Sequence, residues 1–256
     1  MSTMGCLTVK ESGGIKWRRM SWNPVTGCTK YSLGCKNCYA ERLAKRLKDL
    51  GVEKYRNGFE VTLHPDVISK PLKIRRSTII FVVSMGDLFH EKVPDDYILD
   101  VFKVMNKAQW HIFQLLTKRI ERAVALREKL CWTPNIWMGV TVEEKRYVYR
   151  LDLLREIPAA VKFVSMEPLL GDMPSLNLSN INWVIVGGES GPNCRILKRE
   201  WVKNVRDQCV NQRVKFYFHQ WGGINRYRNG RSFEGRTWNE TPSPFVYANT
   251  PLFNCN

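Results

Sequence analysis

The strongest constraint on the fold of this chain is a repeated order of short apolar runs and amphipathic stretches. Thr78–Ser84 (TIIFVVS) is β-branched and apolar, and Asp95–Lys107 behind it has helical spacing. His111–Leu116 is followed by helical Arg119–Leu130, and Asn135–Thr141 by Glu143–Glu156. Val161–Met166 is a fourth run, Asn182–Val186 a fifth with Arg199–Val210 after it, and Val214–Phe218 a sixth. A strand near Met20–Asn23 and a helix over Lys36–Leu50 bring the total to about six to seven β/α units. Near-continuous apolar strands alternating with helices predict a parallel sheet. Right-handed crossovers curl such a sheet into a partial or full parallel (β/α) barrel, with an open doubly wound sheet as the alternative. At 256 residues the chain can bury one core of that size without disulfide staples.

The strand ends favour the barrel. The runs finish in Ser84–Met85–Gly86–Asp87, Thr117–Lys118–Arg119, Thr141 with Glu143, Ser165–Met166–Glu167, Gly187–Gly188–Glu189–Ser190 and His219–Gln220. In a β/α barrel these positions converge on the rim where active sites are built. Helix capping is the plainer explanation, because Ser, Thr and Asp open helices for backbone reasons. Capping accounts for Ser84 or Asp87 singly, but less well for Glu167, which Pro168 and Gly171 surround. Val83–Leu88 (VSMGDL) and Val164–Leu169 (VSMEPL) echo each other, which predicts equivalent places at the rim.

Three of the eight cysteines, Cys28, Cys35 and Cys38, form a C-x6-C-x2-C cluster leading into the first predicted helix. Three thiolates on one loop suit a soft metal centre. The glycines at 27 and 34 let the loop wrap tightly. The dipole of the Lys36–Leu50 helix favours thiolates at its start. No matching C-x2-C supplies a fourth ligand, whereas a closed structural zinc site needs four. A [4Fe–4S] cluster held by three cysteines leaves one iron open. Zinc with a distant fourth ligand, such as Cys194 or a histidine, and an unmetallated loop are the alternatives. His111, inside an apolar strand, reads as a core histidine; His90 and His219 lie nearer the rim. The other five cysteines read as small buried hydrophobes.

With 40 Lys and Arg against 24 Asp and Glu, the chain carries a formal charge of +16. That balance points to a nucleic acid or another anionic substrate as partner. No apolar run is long enough to span a membrane, and Met1–Gly14 lacks the pattern of a signal peptide, so a cytoplasmic protein is expected. Between Trp221 and Pro244, Arg226, Arg228, Arg231 and Arg236 interleave with Tyr227, Phe233 and Trp238. Such alternation suits base stacking and phosphate pairing, and equally a lid tucked against the barrel. Lys118 and Arg119 at a strand exit read either as binders of an anionic group or as a first helical turn. The expected division is an N-terminal extension over 1–16, the barrel over 17–220 and a basic, aromatic extension over 221–256.

A three-cysteine loop after the first strand of a β/α barrel resembles the radical S-adenosylmethionine (SAM) superfamily. More narrowly, the chain resembles a phage-associated, uncharacterised radical-SAM-like family. The resemblance is carried by Trp22–Asn23–Pro24, Gly27–Cys28, Gly34–Cys35–Lys36–Asn37–Cys38–Tyr39–Ala40 and Ser84–Met85–Gly86–Asp87–Leu88–Phe89–His90. It continues through Leu116–Thr117–Lys118–Arg119, Ser165–Met166–Glu167–Pro168–Leu169–Leu170–Gly171, Gly187–Gly188–Glu189–Ser190–Gly191, Gln220–Trp221–Gly222 and Gly235–Arg236–Thr237–Trp238. It implies a barrel of the radical SAM type and a [4Fe–4S] cluster on Cys28, Cys35 and Cys38, with SAM on the fourth iron. It further implies an external electron donor and cleavage of SAM to a 5′-deoxyadenosyl radical that abstracts a substrate hydrogen. By the same resemblance Ser84 and Asp87 would meet the methionine amino group, and Thr141 and Glu143 the ribose. Glu167 and the Gly187–Gly188–Glu189 turn would approach the adenine or the amino acid. Two departures stand out from the common C-x3-C-x2-C pattern. The first gap here is six, and Asn37 rather than an aromatic residue precedes the last cysteine, with Tyr39 after it. Gly187–Gly188–Glu189 also lies on a late strand and is not the superfamily's early Gly-Gly-Glu element. The substrate class favoured is nucleic acid or a nucleotide. The rivals are a non-catalytic, metal-stabilised nucleic-acid-binding protein and an enzyme acting on a peptide or small metabolite.

Overall fold

A computed structural model describes residues 18–225 and 228–243 of the chain. In chain order, β1 (Arg18–Trp22) leads to a small antiparallel pair, β2 (Val25–Thr26) with β3 (Thr62–Leu63), which flanks helix α1 (Tyr39–Asp49). Then come β4 (Thr78–Val82), α2 (Asp95–Lys107), β5 (Ile112–Thr117), α3 (Ile120–Leu126), β6 (Ile136–Thr141), α4 (Arg150–Arg155), β7 (Val161–Met166) and β8 (Trp183–Gly187). Helix α5 (Arg199–Asn211), β9 (Lys215–Gln220) and a hairpin of β10 (Ser232–Phe233) with β11 (Arg236–Thr237) complete the order.

Seven strands form one parallel sheet in the order β1-β4-β5-β6-β7-β8-β9. Each crossover therefore moves one place along the sheet, which curls into a partial β/α barrel, as the alternation in the sequence predicts. Side chains alternate between two apolar layers. The larger layer lies between sheet and helices and holds Ile80, Met138, Val164, Val184 and Phe216 with Ile98, Phe102, Leu154 and Val205 of the helices. The smaller layer lies on the opposite face of the sheet and holds Ile79, Ile112, Trp137, Val161, Phe163 and Trp183. Every residue of the central strand β6 is buried, which explains its unbroken apolar run.

Three expected helices are shorter than their apolar spacing suggests, and the one expected over Arg119–Leu130 spans Ile120–Leu126. The helix expected over Lys36–Leu50 begins at Tyr39, because Leu33–Cys35 closes into a 3-10 turn and Cys38 stands at the N-cap. The helix expected over Glu143–Glu156 is confined to Arg150–Arg155, with a 3-10 turn at Lys145–Tyr147 before it. The preceding residues carry Glu143 into the rim instead of winding. Between β7 and β8, two backbone N–H groups are met by side chains of α5 and of the residue that caps it. Leu176 N donates to Gln208 Oε1 at 2.6 Å and Leu178 N to Gln212 Oε1 at 2.9 Å.

Beyond β9, Phe233 and Trp238 are buried against the barrel, their rings 5.9 Å from Phe218 and 5.5 Å from Phe216. Arg206 and Arg236 lie against the Trp238 ring at 4.9 and 3.4 Å. The described part of this segment is thus tucked in, while the extension expected over 1–16, and Arg226, Tyr227 and residues 244–256 of the one expected over 221–256, lie outside the described residues. Cys209 is a core residue as expected; Cys194 is half-buried and Cys131 is disulfide-bonded rather than a free apolar filler. No helix among the described residues is long and apolar enough to cross a membrane.

Candidate functional site

The polar strand exits meet at one rim, at the C-terminal ends of the sheet strands, and the cysteine loop between β2 and α1 is bound to them. Cys28, Cys35 and Cys38 are free and half-buried. Gly27, at φ +85°, admits no side chain, because a Cβ there would stand 2.1 Å from the Glu60 carbonyl oxygen. Gly34 lies so close to Glu143 that a Cβ would be 2.5 Å from Oε1. The loop is therefore drawn tightly onto the rim at both glycines read from the sequence.

One set of partners comes from the early strands. Asp87, after β4, is buried and accepts from Thr117 Oγ1 at 2.8 Å and from the backbone N–H groups of Phe89 at 3.0 Å and Lys118 at 3.3 Å. It faces Arg119 Nη1 at 3.4 Å, each side chain 7% exposed. Arg119 donates from Nε to Glu91 at 3.1 Å, from Nη2 to Thr29 Oγ1 at 2.8 Å, and from Nη1 to Cys28 Sγ at 3.3 Å. Tyr31 covers the guanidinium, ring centroid 4.8 Å away. His90 is fully buried; its Nδ1 accepts from Lys92 N at 3.1 Å, so a neutral ring carries its proton on Nε2, 2.9 Å from Thr29 Oγ1. Burial and the nearby Arg119 charge push the His90 pKa down, in keeping with that neutral form. Burial, reinforced by Asp87, pushes the Cys28 thiol up to about 11, with Arg119 pulling the other way.

A second set comes from the late strands. Glu143, after β6, is fully buried and pairs with the fully buried Arg150 at 3.1 Å. Its other oxygen accepts from Ser32 of the loop and lies 3.5 Å from Lys118 Nζ. Arg150 is capped by the Tyr147 ring at 4.2 Å. Glu189, after β8, takes Asn37 Nδ2 of the loop at 2.8 Å and two donors of Arg195, Nη2 at 2.5 Å and Nε at 3.0 Å. Arg195 Nη2 also reaches the Leu33 carbonyl at 3.0 Å. Burial pushes Glu189 up, but the bonds from Arg195 and Asn37 outweigh it and hold the carboxyl below its ordinary range.

Within the late set, between the ends of β6 and β8, lies Glu167, after β7. Its Oε1 is 2.5 Å from His219 Nδ1 and its Oε2 accepts from Ser165 Oγ at 3.0 Å. Burial works against its charge, yet His219, Ser165 and the Lys118 charge together hold its pKa down. His219 is 44% exposed, so this pair faces the open mouth. A Cβ at Gly187 would approach Glu167 Oε1 to 2.9 Å, and one at Gly188 would strike the Trp221 carbonyl oxygen at 2.1 Å.

The rim residues singled out in the sequence are thus brought together with the cysteine loop. Ser84 Oγ donates to Asn23 Oδ1 at 3.2 Å, its carbonyl accepts from Tyr39 at 2.7 Å, and the buried Thr141 gives its carbonyl to Arg150 Nη1 at 2.7 Å. Of the two echoing segments, Val83–Leu88 follows β4, whereas Val164–Leu169 takes in the last three residues of β7; both reach the same rim. His111 is a core histidine, bonded to the Pro71 carbonyl at 3.1 Å. Sequence reasoning missed Arg150, Arg195, Asn37 and Ser32, and saw Arg119 only as an anion binder or a helical turn. Nothing periodic marks them.

As a donor set, three free, partly sheltered thiols on one pinned loop suit a thiophilic centre. Cys28 Sγ already receives an N–H, a bond that strengthens once the sulfur is a thiolate. The loop bearing Cys194 touches the cysteine loop through Asn37 Nδ2 and the Asn193 carbonyl, 2.9 Å apart. Among the described residues no three His, Cys, Asp or Glu side chains converge as for a single metal ion.

A family model described as "Protein of unknown function (DUF5131)" matches residues 12–242. No curated protein matches the chain in sequence. Among solved structures, the chain is similar to spore photoproduct lyase complexed with dinucleoside spore photoproduct, at 11% identity and TM-score 0.47, over 85% of this chain and 81% of that one. It is also similar to a mutant spore photoproduct lyase with bound AdoMet and dinucleoside spore photoproduct, at 11% identity and TM-score 0.43. That match covers 73% of this chain and spans 60% of the other's length.

Proposed function

The chain belongs to the DUF5131 family, and we propose that it is a radical SAM enzyme whose Cys28, Cys35 and Cys38 hold a [4Fe–4S] cluster with SAM on the open iron. The observation that carries the reading is the cysteine loop itself: three free thiols on a loop pinned to the rim of a parallel barrel. Bound there, the cluster would pass one electron, taken from an external donor, to SAM, breaking the C5′–S bond to give methionine and a 5′-deoxyadenosyl radical that takes a hydrogen atom from the substrate.

The chain's own residues then orient and shelter these groups. Asp87, Glu143 and Glu189 are engaged by Arg119, Arg150 and Arg195, so we assign them to holding the loop in place for the cofactor. Glu167, with His219 exposed beside it, is the rim carboxylate best placed to meet a polar group of SAM directly, next to the Gly187–Gly188 backbone. Ser84 and Thr141 complete the rim around them. The substrate class we favour is nucleic acid or a nucleotide. The cysteine loop presents exposed Lys30, Tyr31, Lys36 and Tyr39, cations and rings that can pair with phosphates and stack on bases, on a chain of charge +16.

The test is anaerobic reconstitution. The enzyme should bind iron and sulfide at about four each per chain, lose the broad visible absorbance in Cys35→Ala, and release 5′-deoxyadenosine from SAM under reductant. Zinc at the thiols with SAM left intact would replace this reading by that of a metal-stabilised nucleic-acid-binding protein. Binding of DNA or RNA that weakens steeply with salt would favour the nucleic-acid substrate over a peptide or metabolite.

A further inference from the structure

We propose that Arg119 is a positioning residue that raises the reduction potential of the centre held by Cys28, Cys35 and Cys38, with Asp87 as its opposing charge. The inference rests on the reading of those cysteines as cluster ligands. Arg119 is 6% exposed, and its fork is fixed on every side: Nε on Glu91, Nη2 on the Thr29 carbonyl and hydroxyl, Nη1 between Asp87 and the Cys28 sulfur. Tyr31 lies over its plane. A guanidinium in such a cage neither deprotonates nor turns away, so its charge stays beside one ligand sulfur at all working pH.

The three sulfurs are not treated alike. Cys35 Sγ has the neutral Ser32 hydroxyl at 3.7 Å, and Cys38 stands at the N-cap of α1. Among the described residues, Cys28 alone of the three receives a charged donor, at 3.3 Å. Adding one electron, supplied by a low-potential one-electron donor, takes [4Fe–4S]2+ to [4Fe–4S]+ with no bond made or broken. The electron adds negative charge on cluster and ligand sulfurs. A cation and a hydrogen bond at a ligand sulfur favour that reduced form, and a carboxylate 3.4 Å behind the cation disfavours it. Arg119 and Asp87 therefore act with opposite signs on one equilibrium, although both look alike as members of one buried ion pair.

The experiment is a dithionite titration of the reconstituted full-length protein, following the electron paramagnetic resonance signal of the reduced cluster against potential. Arg119→Gln is expected to lower the equilibrium constant for reduction about tenfold, about 59 mV to the negative side for one electron. Arg119→Lys, which keeps the charge and loses the fork, should recover part of that shift. Asp87→Asn, which keeps an oxygen for Thr117 and removes the charge, should shift the potential the other way. A structural role alone would change loading or stability but not yield opposite signs. If Arg119→Gln loads poorly, Arg119→Lys and Asp87→Asn still decide by their signs. A loaded cluster whose potential is the same in all variants, or moves the same way in both charge removals, overturns the inference and leaves the enzyme reading standing. A wild-type protein that takes up no cluster overturns both.

Discussion

The cysteine loop is held from two sides, and the two sides differ in kind. The early strands reach a cysteine directly: Asp87 and Thr117 fix Arg119, and Arg119 donates to Cys28 Sγ. The late strands reach the chain between the cysteines: Glu143 takes Ser32, and Glu189 takes Asn37 while its partner Arg195 takes the Leu33 carbonyl. The first side sets the electrostatics of a sulfur and holds Thr29 beside it, and the second sets where the rest of the loop runs. A site that must hold a charged centre at a fixed place needs both, and here they come from opposite halves of one sheet.

The largest test of this contrast is Glu143→Ala. It strands the fully buried Arg150 and frees Ser32, and breaking a buried pair costs about 3–5 kcal/mol. Chemical denaturation should show that loss. A change below about 1 kcal/mol, the range of exposed pairs, would mean that Glu143 is not the anchor of the late side. Thr117→Val comes next. It keeps the shape of a buried residue but removes the hydroxyl that joins Asp87 to the Arg119 backbone, at a cost of about 1.5–3 kcal/mol. Unlike Glu143→Ala, it should alter the cluster's spectrum through Arg119. An unaltered spectrum at equal destabilisation would erase the distinction between the sides.

The acid limb of stability tests the late side through Glu189. The Glu189 pKa is depressed in the folded chain, so its contribution is fully present above its unfolded value, about 4.3, and disappears as pH falls through the lower folded value. Urea midpoints of the metal-free protein should therefore fall on acidification below pH 4. In Glu189→Gln the stability at neutral pH should drop and that part of the acid dependence vanish. An unchanged acid limb in the variant would show that Glu189 does not clamp the loop.

How much of this was legible in the sequence follows from distance along the chain. The strands were readable because each is a local apolar run, and α2 and β7 match their expected limits residue for residue. The cysteine loop was readable because its ligands are packed into eleven residues and its glycines stand where the chain is tight. The polar exits were readable as a rim, but not what they grip. Ser32 meets Glu143 across 111 residues and Asn37 meets Glu189 across 152, and no periodic pattern encodes such pairings. The same limit explains the helix expected over Glu143–Glu156, whose first half gives up winding to deliver Glu143. It also explains the C-terminal aromatics, whose alternation with arginines fits stacking on bases as well as the packing of Phe233 and Trp238 against β9 that the fold displays.

Tyr31 gives the smallest and most discriminating test, because it touches both sides. Its ring lies 4.8 Å from the Arg119 guanidinium and 5.6 Å from that of Arg150, and it is 44% exposed. Two cation–π contacts at a partly exposed ring are worth about 0.5–1 kcal/mol each, so Tyr31→Ala should cost little stability. Its effect on the site should be larger in proportion, since removing the ring opens the Arg119 charge to water and weakens its hold on Cys28 Sγ. Tyr31→Phe keeps both contacts and loses only the weak bond to Glu121, so it should behave as the wild type. If Tyr31→Ala and Tyr31→Phe alter the cluster spectrum equally, the ring is not what shields Arg119, and the early side owes its fixed charge to Asp87 and Glu91 alone.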